Sequence, residues 1–173
     1  TAEDLARQML SKAGYYVFST REYMSRVRGG NNSTQIRVSV KPVRAYVDRI
    51  DWLFDLSPQL RPNITEKITK DTKILGDASA MGEEIASLGR EMTDLGLAKR
   101  AADLGSPKFS SMIVAGFIAG IFVLGEDSAD ELIEKRFKDP ELSAKNKEAF
   151  RVGYGMGNAH AGGVPVVKKP EMP

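Results

Sequence analysis

The alternation of apolar and polar residues is clearest in residues 15–40, where it predicts two strands joined by a long polar connection. The first run, Tyr15-Tyr16-Val17-Phe18, is short and apolar and predicts a buried strand. The last run, residues 34–40, places aliphatic side chains on one face and polar side chains on the other, which is typical of a half-buried strand. The connection between them, residues 19–33, is long for a compact domain, and such segments more often serve a function than fill space.

Helical spacing of apolar residues dominates much of the remaining chain. Residues 1–13 predict an amphipathic helix that ends at Gly14, a residue type suited to the turn after a helix. Residues 107–124 leave little polar surface on any face, so we expect this helix to be buried at the centre of the core. Further helices are predicted at residues 91–104, 127–138 and 139–153.

Two more strands are predicted, at residues 50–56 and 72–76, with a short helix between them that Pro62 should interrupt. This order of elements predicts an α/β layered domain. Because a strand normally precedes the first helix of a parallel α/β sheet, we expect a first strand before Thr1. After Gly153 the helical pattern gives way to Gly, Pro and Lys, a composition that predicts a linker or arm.

The composition excludes several classes of function. The 25 Lys and Arg residues nearly balance the 23 Asp and Glu residues, so the net charge of +2 gives no support to nucleic-acid binding as the main activity. There is no cysteine, which excludes disulfides, thiolate metal sites, a cysteine nucleophile and an iron–sulfur cluster ligated by this chain. A cysteine-free chain fits a reducing compartment, and we expect a cytoplasmic protein.

Membrane insertion is not expected either. The longest apolar run, residues 112–124, is shorter than the ~20 residues that cross a bilayer. Residues 1–13 carry charges throughout and lack the apolar segment of a signal peptide.

The strongest candidate site lies in the polar connection, at Arg28-Gly29-Gly30-Asn31-Asn32. The two glycines allow positive φ and a close backbone approach, and the asparagines tolerate left-handed geometry and offer amides. Arg21, Arg26 and Arg28 offer guanidinium groups suited to phosphate or carboxylate. Two interpretations stay open: a segment that contacts an anion or a partner, and a solvated turn whose charges face water.

Other candidates have simpler structural interpretations. The G-x-x-x-G spacing of Gly116 and Gly120 predicts close packing of a buried helix on a sheet or on a partner subunit. His160, the only histidine, lacks a second histidine or a paired carboxylate nearby in the sequence, so a role as ligand or proton carrier is weakly supported.

Carboxylates near the ends of predicted strands, Asp51, Asp55 and Asp77, could polarise a ligand at the edge of a sheet or simply cap the following turn. The run Gly153-Tyr154-Gly155-Met156-Gly157 superficially matches a dinucleotide fingerprint. It follows a helix and precedes none, so it does not predict dinucleotide binding.

Four stretches of the sequence resemble a known family. The stretches are Ala13-Gly14-Tyr15-Tyr16-Val17-Phe18, Arg21-Glu22-Tyr23-Met24-Ser25, Arg28-Gly29-Gly30-Asn31-Asn32 and Gln35-Ile36-Arg37-Val38-Ser39. They are similar to the gamma-type domain of 2-oxoacid:ferredoxin (acceptor) oxidoreductases, in which an aromatic strand, a Tyr-x-Ser turn, Arg-Gly-Gly and a Gln-x-Arg-x-Ser strand follow one another. Weaker similarity continues to about residue 154, so we divide the chain into a gamma-type domain, 1–154, and a linker or arm, 155–173.

The chain departs from the family pattern in two places. Many members carry a histidine after Arg-Gly-Gly, where this chain has Asn31, so the chain offers no imidazole at that position. The family also has a strand and a Gly-rich turn before the first helix, which in this chain would precede Thr1. The tail looks like the connection to an alpha-type domain, so the resemblance favours the N-terminal domain of a 2-oxoglutarate-type alpha subunit over a separate gamma subunit.

The resemblance implies a Rossmann-like domain with a mostly parallel sheet, inside an enzyme that oxidatively decarboxylates a 2-oxoacid to an acyl-CoA. We favour 2-oxoglutarate as the substrate. In such enzymes alpha- and beta-type domains hold thiamine diphosphate, Mg²⁺ and [4Fe-4S] clusters, ferredoxin accepts the electrons, and coenzyme A (CoA) is a co-substrate. We therefore expect this chain to bind no cofactor alone, to lack catalytic residues and metal ligands, and to be inactive in isolation.

In this setting the domain flanks the active site, and the polar connection is expected to contact CoA or a neighbouring subunit. The residues assigned to that contact are Tyr23, Ser25, Arg28, Gly29, Gly30, Asn31 and Asn32. Two alternatives are a stand-alone Rossmann-type module that binds CoA or a nucleotide, and a non-catalytic scaffold domain whose connection only touches another subunit.

Overall fold

The computed structural model describes residues 2–23, 32–56 and 59–161. Five strands and seven α-helices lie in these ranges, with a 3₁₀ turn at Pro107–Phe109. The strands are β1 (Tyr16–Glu22), β2 (Ser33–Ser39), β3 (Ile50–Phe54), β4 (Ile68–Gly76) and β5 (Met92–Asp94). The helices are α1 (Ala2–Lys12), α2 (Pro62–Thr65), α3 (Ala78–Ser87), α4 (Leu97–Asp103), α5 (Ser110–Ile121), α6 (Glu126–Arg136) and α7 (Pro140–Ala159).

The described strands form two sheets. β3, β4 and β5 are parallel and lie in that order, while β1 and β2 form an antiparallel hairpin with Tyr16 opposite Ser39 and Glu22 opposite Ser33. The parallel sheet confirms the predicted α/β class. The strand expected before Thr1 stays a prediction.

Helices cover both faces of the parallel sheet. Neighbouring side chains on a strand point to opposite faces, so one strand can contribute to a core cluster on each side. Ile74 packs with Met81 and Ile85 of α3 in a small cluster on one face. The adjacent Leu75 belongs to the large cluster on the other face, which contains Phe117 of α5. These two clusters pack helices against the two faces of the sheet and so form the layered domain that the order of elements predicted.

The central position predicted for the most apolar helix is confirmed. In α5, Phe117 and Ile113 have no measurable exposure, and α1, α4 and α7 all pack against this helix. The helix ends at Ile121, earlier than the predicted residue 124, because Val123 takes a left-handed conformation with φ of 51°.

The prediction of a buried first strand was wrong. Tyr15, just before β1, is buried, but Tyr16 is 46% exposed, and the strand continues through residues 19–22, which the sequence had placed in the connection. An antiparallel hairpin can present one face to water, whereas a strand inside a parallel sheet cannot. Its pairing with β2 therefore explains both the exposure and the greater length.

Two helix predictions between residues 57 and 104 were also wrong. Pro62 begins α2 instead of interrupting a helix, since a proline at the first helical position loses no hydrogen bond. Residues 91–104 contain β5 and then α4, not one helix. The backbone of Leu95 bonds to the carbonyl of Gly76 at 2.8 Å, so pairing with β4 overrides the helical spacing.

Helix α7 continues to Ala159, beyond the predicted end near Gly153. A Cβ on Gly157 would lie 2.0 Å from the carbonyl oxygen of Phe117, and one on Gly116 would lie 2.0 Å from that of Phe150. Only glycine allows two helix backbones this close. The close packing predicted from the G-x-x-x-G spacing of α5 is confirmed, but the predicted partner, a sheet or another subunit, was wrong. The partner is α7 of the same chain, which has its own glycines, Gly153 and Gly157, at the same spacing. The division of the chain at residue 154 stays a prediction.

No helix within residues 2–23, 32–56 and 59–161 is long and apolar enough to cross a membrane.

Candidate functional site

The predicted site lies where the hairpin strands β1 and β2 are joined. Tyr23 follows the last residue of β1 and is 69% exposed, and Asn32 precedes the first residue of β2 and is also exposed. Ser25, Arg26, Arg28, Gly29, Gly30 and Asn31 lie outside the described residues. Because Glu22 and Ser33 are cross-strand partners, the structure brings Tyr23 and Asn32 to the same end of the hairpin, where both are accessible from solvent.

Arg21 does not offer its guanidinium to a ligand as the sequence had suggested. Its Nε donates a short hydrogen bond to Glu3 Oε2, and its Nη2 lies 2.5 Å from Asp4 Oδ1. The hydrogen bond that Arg21 donates to Glu3 is the main cause that raises the pKa of Arg21 above its ordinary value, and hydrogen bonds with Tyr23 and Asp4 contribute. Two carboxylates in the first turn of α1 therefore already bind the Arg21 guanidinium.

Glu22, the next residue, is part of a second polar cluster. Its Oε2 accepts a hydrogen bond from Asn63 Nδ2 at 2.5 Å and lies 3.2 Å from Nη1 of Arg61. The same Nη1 donates to Ser33 Oγ at 3.3 Å, and Ser33 Oγ lies 3.5 Å from Glu22 Oε2. We call Glu22, Ser33, Arg61 and Asn63 the stem cluster, because it joins both stems of the hairpin to α2.

Sequence reasoning missed the stem cluster. Arg61 lies 28 residues from Ser33, and Asn63 lies 41 residues from Glu22. No local spacing rule links positions so far apart. The cluster depends on how the hairpin is placed beside the β3–α2 connection, which only the tertiary structure shows.

The capping interpretation of Asp77 is confirmed. Its Oδ1 accepts a hydrogen bond from the Ser79 amide at 3.1 Å and caps α3, and its Oδ2 accepts one from the Ala98 amide in α4 at 2.7 Å. Hydrogen bonds from Ser79 and then from Ala98 favour the carboxylate and lower its pKa below the ordinary value.

The other two carboxylates lie in different surroundings. Asp51 is exposed and pairs with Arg49 at 3.2 Å, an arrangement typical of a solvated surface. Asp55 is 6% exposed, and its backbone amide extends the ladder to the carbonyl of Leu75. The three predicted carboxylates thus have different roles or surroundings: Asp77 is a cap, Asp51 is a surface ion pair and Asp55 is buried at the strand end.

His160 has a structural position at the end of α7. Its Nδ1 lies 2.8 Å from the carbonyl oxygen of Met156, and its ring lies 5.3 Å from that of Phe117. Within residues 2–23, 32–56 and 59–161 there is no group of three or more His, Cys, Asp or Glu side chains that could hold a metal ion.

A surface cavity of about 490 Å³ opens beside the 3₁₀ turn at Pro107–Phe109. Phe109, Met112 and Leu142 contribute apolar surface, and Lys108 and Arg136 contribute cations. Arg136 also pairs with Asp4 at 3.5 Å. Neither Tyr23 nor Asn32 is among the described residues that line this cavity.

Known proteins similar in sequence come from one group of redox enzymes. Residues 1–156 match the model of the family described as pyruvate ferredoxin/flavodoxin oxidoreductase. Subunit KorC of 2-oxoglutarate synthase from Archaeoglobus fulgidus is 26% identical over 145 residues, which cover 83% of this chain and 73% of KorC. A Sulfolobus 2-oxoacid:ferredoxin oxidoreductase subunit alpha is 36% identical over 53 residues, which cover 31% of this chain and 8% of that subunit.

Solved structures show the same fold. The gamma subunit of a keto/oxoacid ferredoxin oxidoreductase from Geobacter sulfurreducens has a TM-score of 0.62 at 17% identity, covering 90% of each chain. The pyruvate oxidoreductase subunit PORC from Thermotoga maritima has a TM-score of 0.63 at 22% identity, covering 89% of this chain and 86% of PORC.

A 2-oxoglutarate:ferredoxin oxidoreductase from Magnetococcus marinus, solved with 2-oxoglutarate, CoA and succinyl-CoA bound, has a TM-score of 0.63 at 16% identity. The similarity covers 98% of this chain and 31% of that one. At these identities the structures support the fold, and the family model supports the family. The match over residues 1–156 shows that the chain belongs to the pyruvate ferredoxin/flavodoxin oxidoreductase family, as the motifs around the hairpin predicted.

Proposed function

We propose that this chain is the gamma-type component of a 2-oxoacid:ferredoxin oxidoreductase that converts 2-oxoglutarate to an acyl-CoA. The observation that carries the proposal is the family match over residues 1–156, which includes both strands of the hairpin and the segment between them. The similarity to KorC, a subunit of 2-oxoglutarate synthase, favours 2-oxoglutarate over other 2-oxoacids. The reaction removes CO₂, passes two electrons to ferredoxin and transfers the acyl group to CoA.

The residues of this chain do not fit the redox cofactors of such an enzyme. With no cysteine in 173 residues, the chain has no thiolate for a [4Fe-4S] cluster. The described residues also contain no group of three or more His, Cys, Asp or Glu side chains that could hold a metal ion. We therefore assign the clusters, Mg²⁺ and thiamine diphosphate to alpha- and beta-type partners, and binding surface to this chain.

The hairpin end is the part of this chain that we assign to CoA. Tyr23 and Asn32 are exposed there, and the segment they bracket contains Arg28, a guanidinium suited to a phosphate. Ser25, Gly29, Gly30 and Asn31 belong to the same proposed contact. The relative from Magnetococcus marinus binds CoA, which supports a CoA contact in the assembled enzyme.

The cellular compartment of the enzyme follows from the same assignments. We propose a cytoplasmic enzyme, since a cysteine-free chain that serves a ferredoxin-linked complex fits a reducing compartment. Residues 155–159 of the predicted linker belong to α7, so we propose that the residues after His160 connect this domain to an alpha-type domain in a fused enzyme.

Co-expression tests the proposal directly. A tagged form of this chain, produced with alpha- and beta-type partners, should purify as one complex that prefers 2-oxoglutarate to pyruvate. Failure to form a complex would overturn the proposal. Calorimetry of the isolated chain with CoA and with NAD tests the stand-alone alternative, which requires tight binding without partners. A preference for pyruvate would retain the enzyme class and correct the substrate.

A further inference from the structure

The surface cavity beside the 3₁₀ turn has charge of one sign in its lining. The charged residues among its described lining are Lys108 and Arg136, and none of those residues is an Asp or a Glu. The volume of about 490 Å³ lies in the range of pockets that bind small molecules. A cavity of this size with only cations in its lining suits a small anionic ligand.

Lys108 is held by its backbone and exposes its side chain. The Lys108 amide donates a hydrogen bond to Ser106 Oγ at 3.3 Å, and Ser111 Oγ donates one to the Lys108 carbonyl at 3.2 Å. Both serines also line the cavity, so the turn holds this lysine in a fixed position at the rim. Within residues 2–23, 32–56 and 59–161, no carboxylate pairs with the Lys108 ammonium. This charge is therefore available to an anion.

The second cation, Arg136, is only partly engaged by the protein. Its Nη1 lies 3.5 Å from Asp4 Oδ2, and its side chain is 45% exposed. Asp4 also pairs with Arg21, so one carboxylate is divided between two guanidinium groups. Because a guanidinium has five N–H donors, Arg136 can bind the carboxylate of a ligand without leaving Asp4.

Apolar side chains form the rest of the wall. Phe109 and Met112 are buried and belong to the main core, while Leu142 is 42% exposed. An apolar group in the cavity would cover Leu142 and leave the core as it is. The lining therefore suits an anion with an apolar body. A short chain between two carboxylates, such as 2-oxoglutarate, does not fit this description.

Asn146 is a polar side chain in these apolar surroundings. It is 5% exposed and lines the cavity, and its Nδ2 donates a hydrogen bond to the Leu142 carbonyl at 2.7 Å. That bond identifies the amide nitrogen, because a carbonyl oxygen can only accept. In the part of the chain that the structure describes, Asn146 Oδ1 has no hydrogen-bond donor, whereas buried polar atoms are normally paired. A hydroxyl or N–H group of a ligand would pair with it.

We propose that this cavity is a binding site for a small organic acid whose apolar body carries a hydrogen-bond donor. The carboxylate pairs with Lys108 and Arg136. The apolar body packs against Phe109 and Leu142, and the donor bonds to Asn146 Oδ1. This inference goes beyond the proposed function, because it adds a ligand of a class that the 2-oxoacid reaction does not use.

Three probes that differ by single groups test the proposal by isothermal titration calorimetry of the full chain. The complete probe is 4-hydroxyphenylacetate, which has a carboxylate, an aromatic body and a hydroxyl donor. Its Kd should be on the order of 1 mM, as expected for a ligand of this size. Phenylacetate lacks the hydroxyl and should bind about threefold to tenfold more weakly. The probe without a carboxylate, 4-hydroxyphenylethanol, should bind more than about tenfold more weakly.

Variants assign the contacts to residues. Lys108→Ala should weaken the binding of 4-hydroxyphenylacetate about tenfold. Lys99→Ala is the matched control, since it removes an exposed lysine of α4 that does not line the cavity, and its Kd should equal that of the wild type. Asn146→Leu removes the acceptor, so 4-hydroxyphenylacetate and phenylacetate should then bind equally. A purely structural role of Asn146 would weaken both probes by the same factor.

Nuclear magnetic resonance of methionine methyl groups locates the probe in the wild-type chain, so the test does not depend on whether Asn146→Leu folds. The Met112 signal should shift when 4-hydroxyphenylacetate is added. Met81, which packs in the small cluster with Ile74, should not respond.

Three results would overturn the proposal: no binding of 4-hydroxyphenylacetate up to about 10 mM, equal Kd values for all three probes, or binding that leaves the Met112 signal unshifted. The proposed function is tested separately. A chain that binds this probe as expected but forms no complex with alpha- and beta-type partners would retain the site and overturn the proposed function.

Discussion

Gly153 of α7 lies so close to Ile113 of α5 that a Cβ on the glycine would be 1.8 Å from the isoleucine carbonyl oxygen. Both helices must move apart to admit a methyl group, and their core residues would separate with them. We predict that Gly153→Ala lowers the free energy of unfolding by about 3 kcal/mol, at the upper end of the usual cost of overpacking. Urea denaturation monitored by circular dichroism measures this change.

Gly155 provides the matched control in the same helix. A Cβ there meets no atom within 4 Å, and the residue is exposed. Because alanine favours a helix more than glycine does, Gly155→Ala should stabilise the protein by roughly 0.5–1 kcal/mol. Equal effects of the two substitutions would contradict the close contact between α5 and α7.

Val123 is a valine in a conformation that favours glycine. Its φ is 51°, its amide donates to the carbonyl of Gly120 at 3.0 Å, and the amide of Leu124 donates to Ala119 at 2.9 Å. This pattern is a Schellman motif, in which glycine is the usual residue with positive φ. Because the valine side chain is 61% exposed, Val123→Gly sacrifices little packing and should stabilise the protein by up to about 1 kcal/mol.

The reverse substitution can be made at the end of α3. Gly89 has φ of 65°, with amides of Gly89 and Arg90 bonded to Ala86 and Ile85 in the same pattern, and no atom lies within 4 Å of a Cβ built there. Gly89→Val should therefore cost about 1–2 kcal/mol through backbone strain alone. If the melting temperature of Val123→Gly falls instead, the assigned backbone conformation at Val123 is wrong.

Asp77 makes stability depend on pH in acid. Its carboxylate caps α3 and bonds to α4, so Asp77→Ala should cost about 1 kcal/mol at pH 7. The folded pKa is lower than the unfolded one, so this contribution is complete above the ordinary value of about 3.9. It is lost as the pH falls through the folded pKa.

Urea denaturation at pH 7 and at steps below pH 4 checks this dependence. The difference in free energy of unfolding between the wild type and Asp77→Ala should become smaller as acid protonates the Asp77 carboxylate. Asp103→Ala, which removes an exposed carboxylate at the end of α4, should show neither the loss at pH 7 nor the narrowing. A gap that stays constant with pH would argue against a charged cap.

Local patterns in the sequence predicted the elements that are stabilised by local interactions or that have strongly apolar sequences. The amphipathic α1 and the nearly all-apolar α5 could be read from helical spacing. β5 could not be predicted from local spacing, because its three residues form a strand only by pairing with β4. The end of α7 was missed for a related reason: its glycines disfavour a helix in isolation and become favourable only against α5.

The candidate site itself stays a prediction, and only the strands that flank it can be compared with the sequence. Spacing and turn residues predicted two strands joined by a polar connection, but they placed residues 19–22 in that connection, whereas these residues belong to β1 and pair with β2. Residue type alone could not show that Arg21 is taken up by Glu3 and Asp4. A guanidinium is equally suited to a ligand and to a neighbouring carboxylate, and the tertiary structure decides between them.

Arg21 and Arg28 should therefore respond differently in the assembled enzyme. Arg28→Ala removes a proposed phosphate contact and should raise the KM for CoA roughly tenfold. Arg21→Ala breaks ion pairs with α1 and should lower the melting temperature slightly while the KM for CoA stays near the wild-type value. Kinetics and thermal unfolding of both variants make the comparison, and an equal rise in KM would contradict the internal role of Arg21.

The central claim is that this chain completes a CoA-dependent 2-oxoacid oxidoreductase. The most direct measurement is the initial rate of ferredoxin reduction with 2-oxoglutarate and CoA, by alpha- and beta-type partners produced with and without this chain. We expect full activity only when the chain is present with its partners, and no activity for the isolated chain. Equal rates with and without the chain, or CoA-dependent turnover by the chain alone, would contradict it.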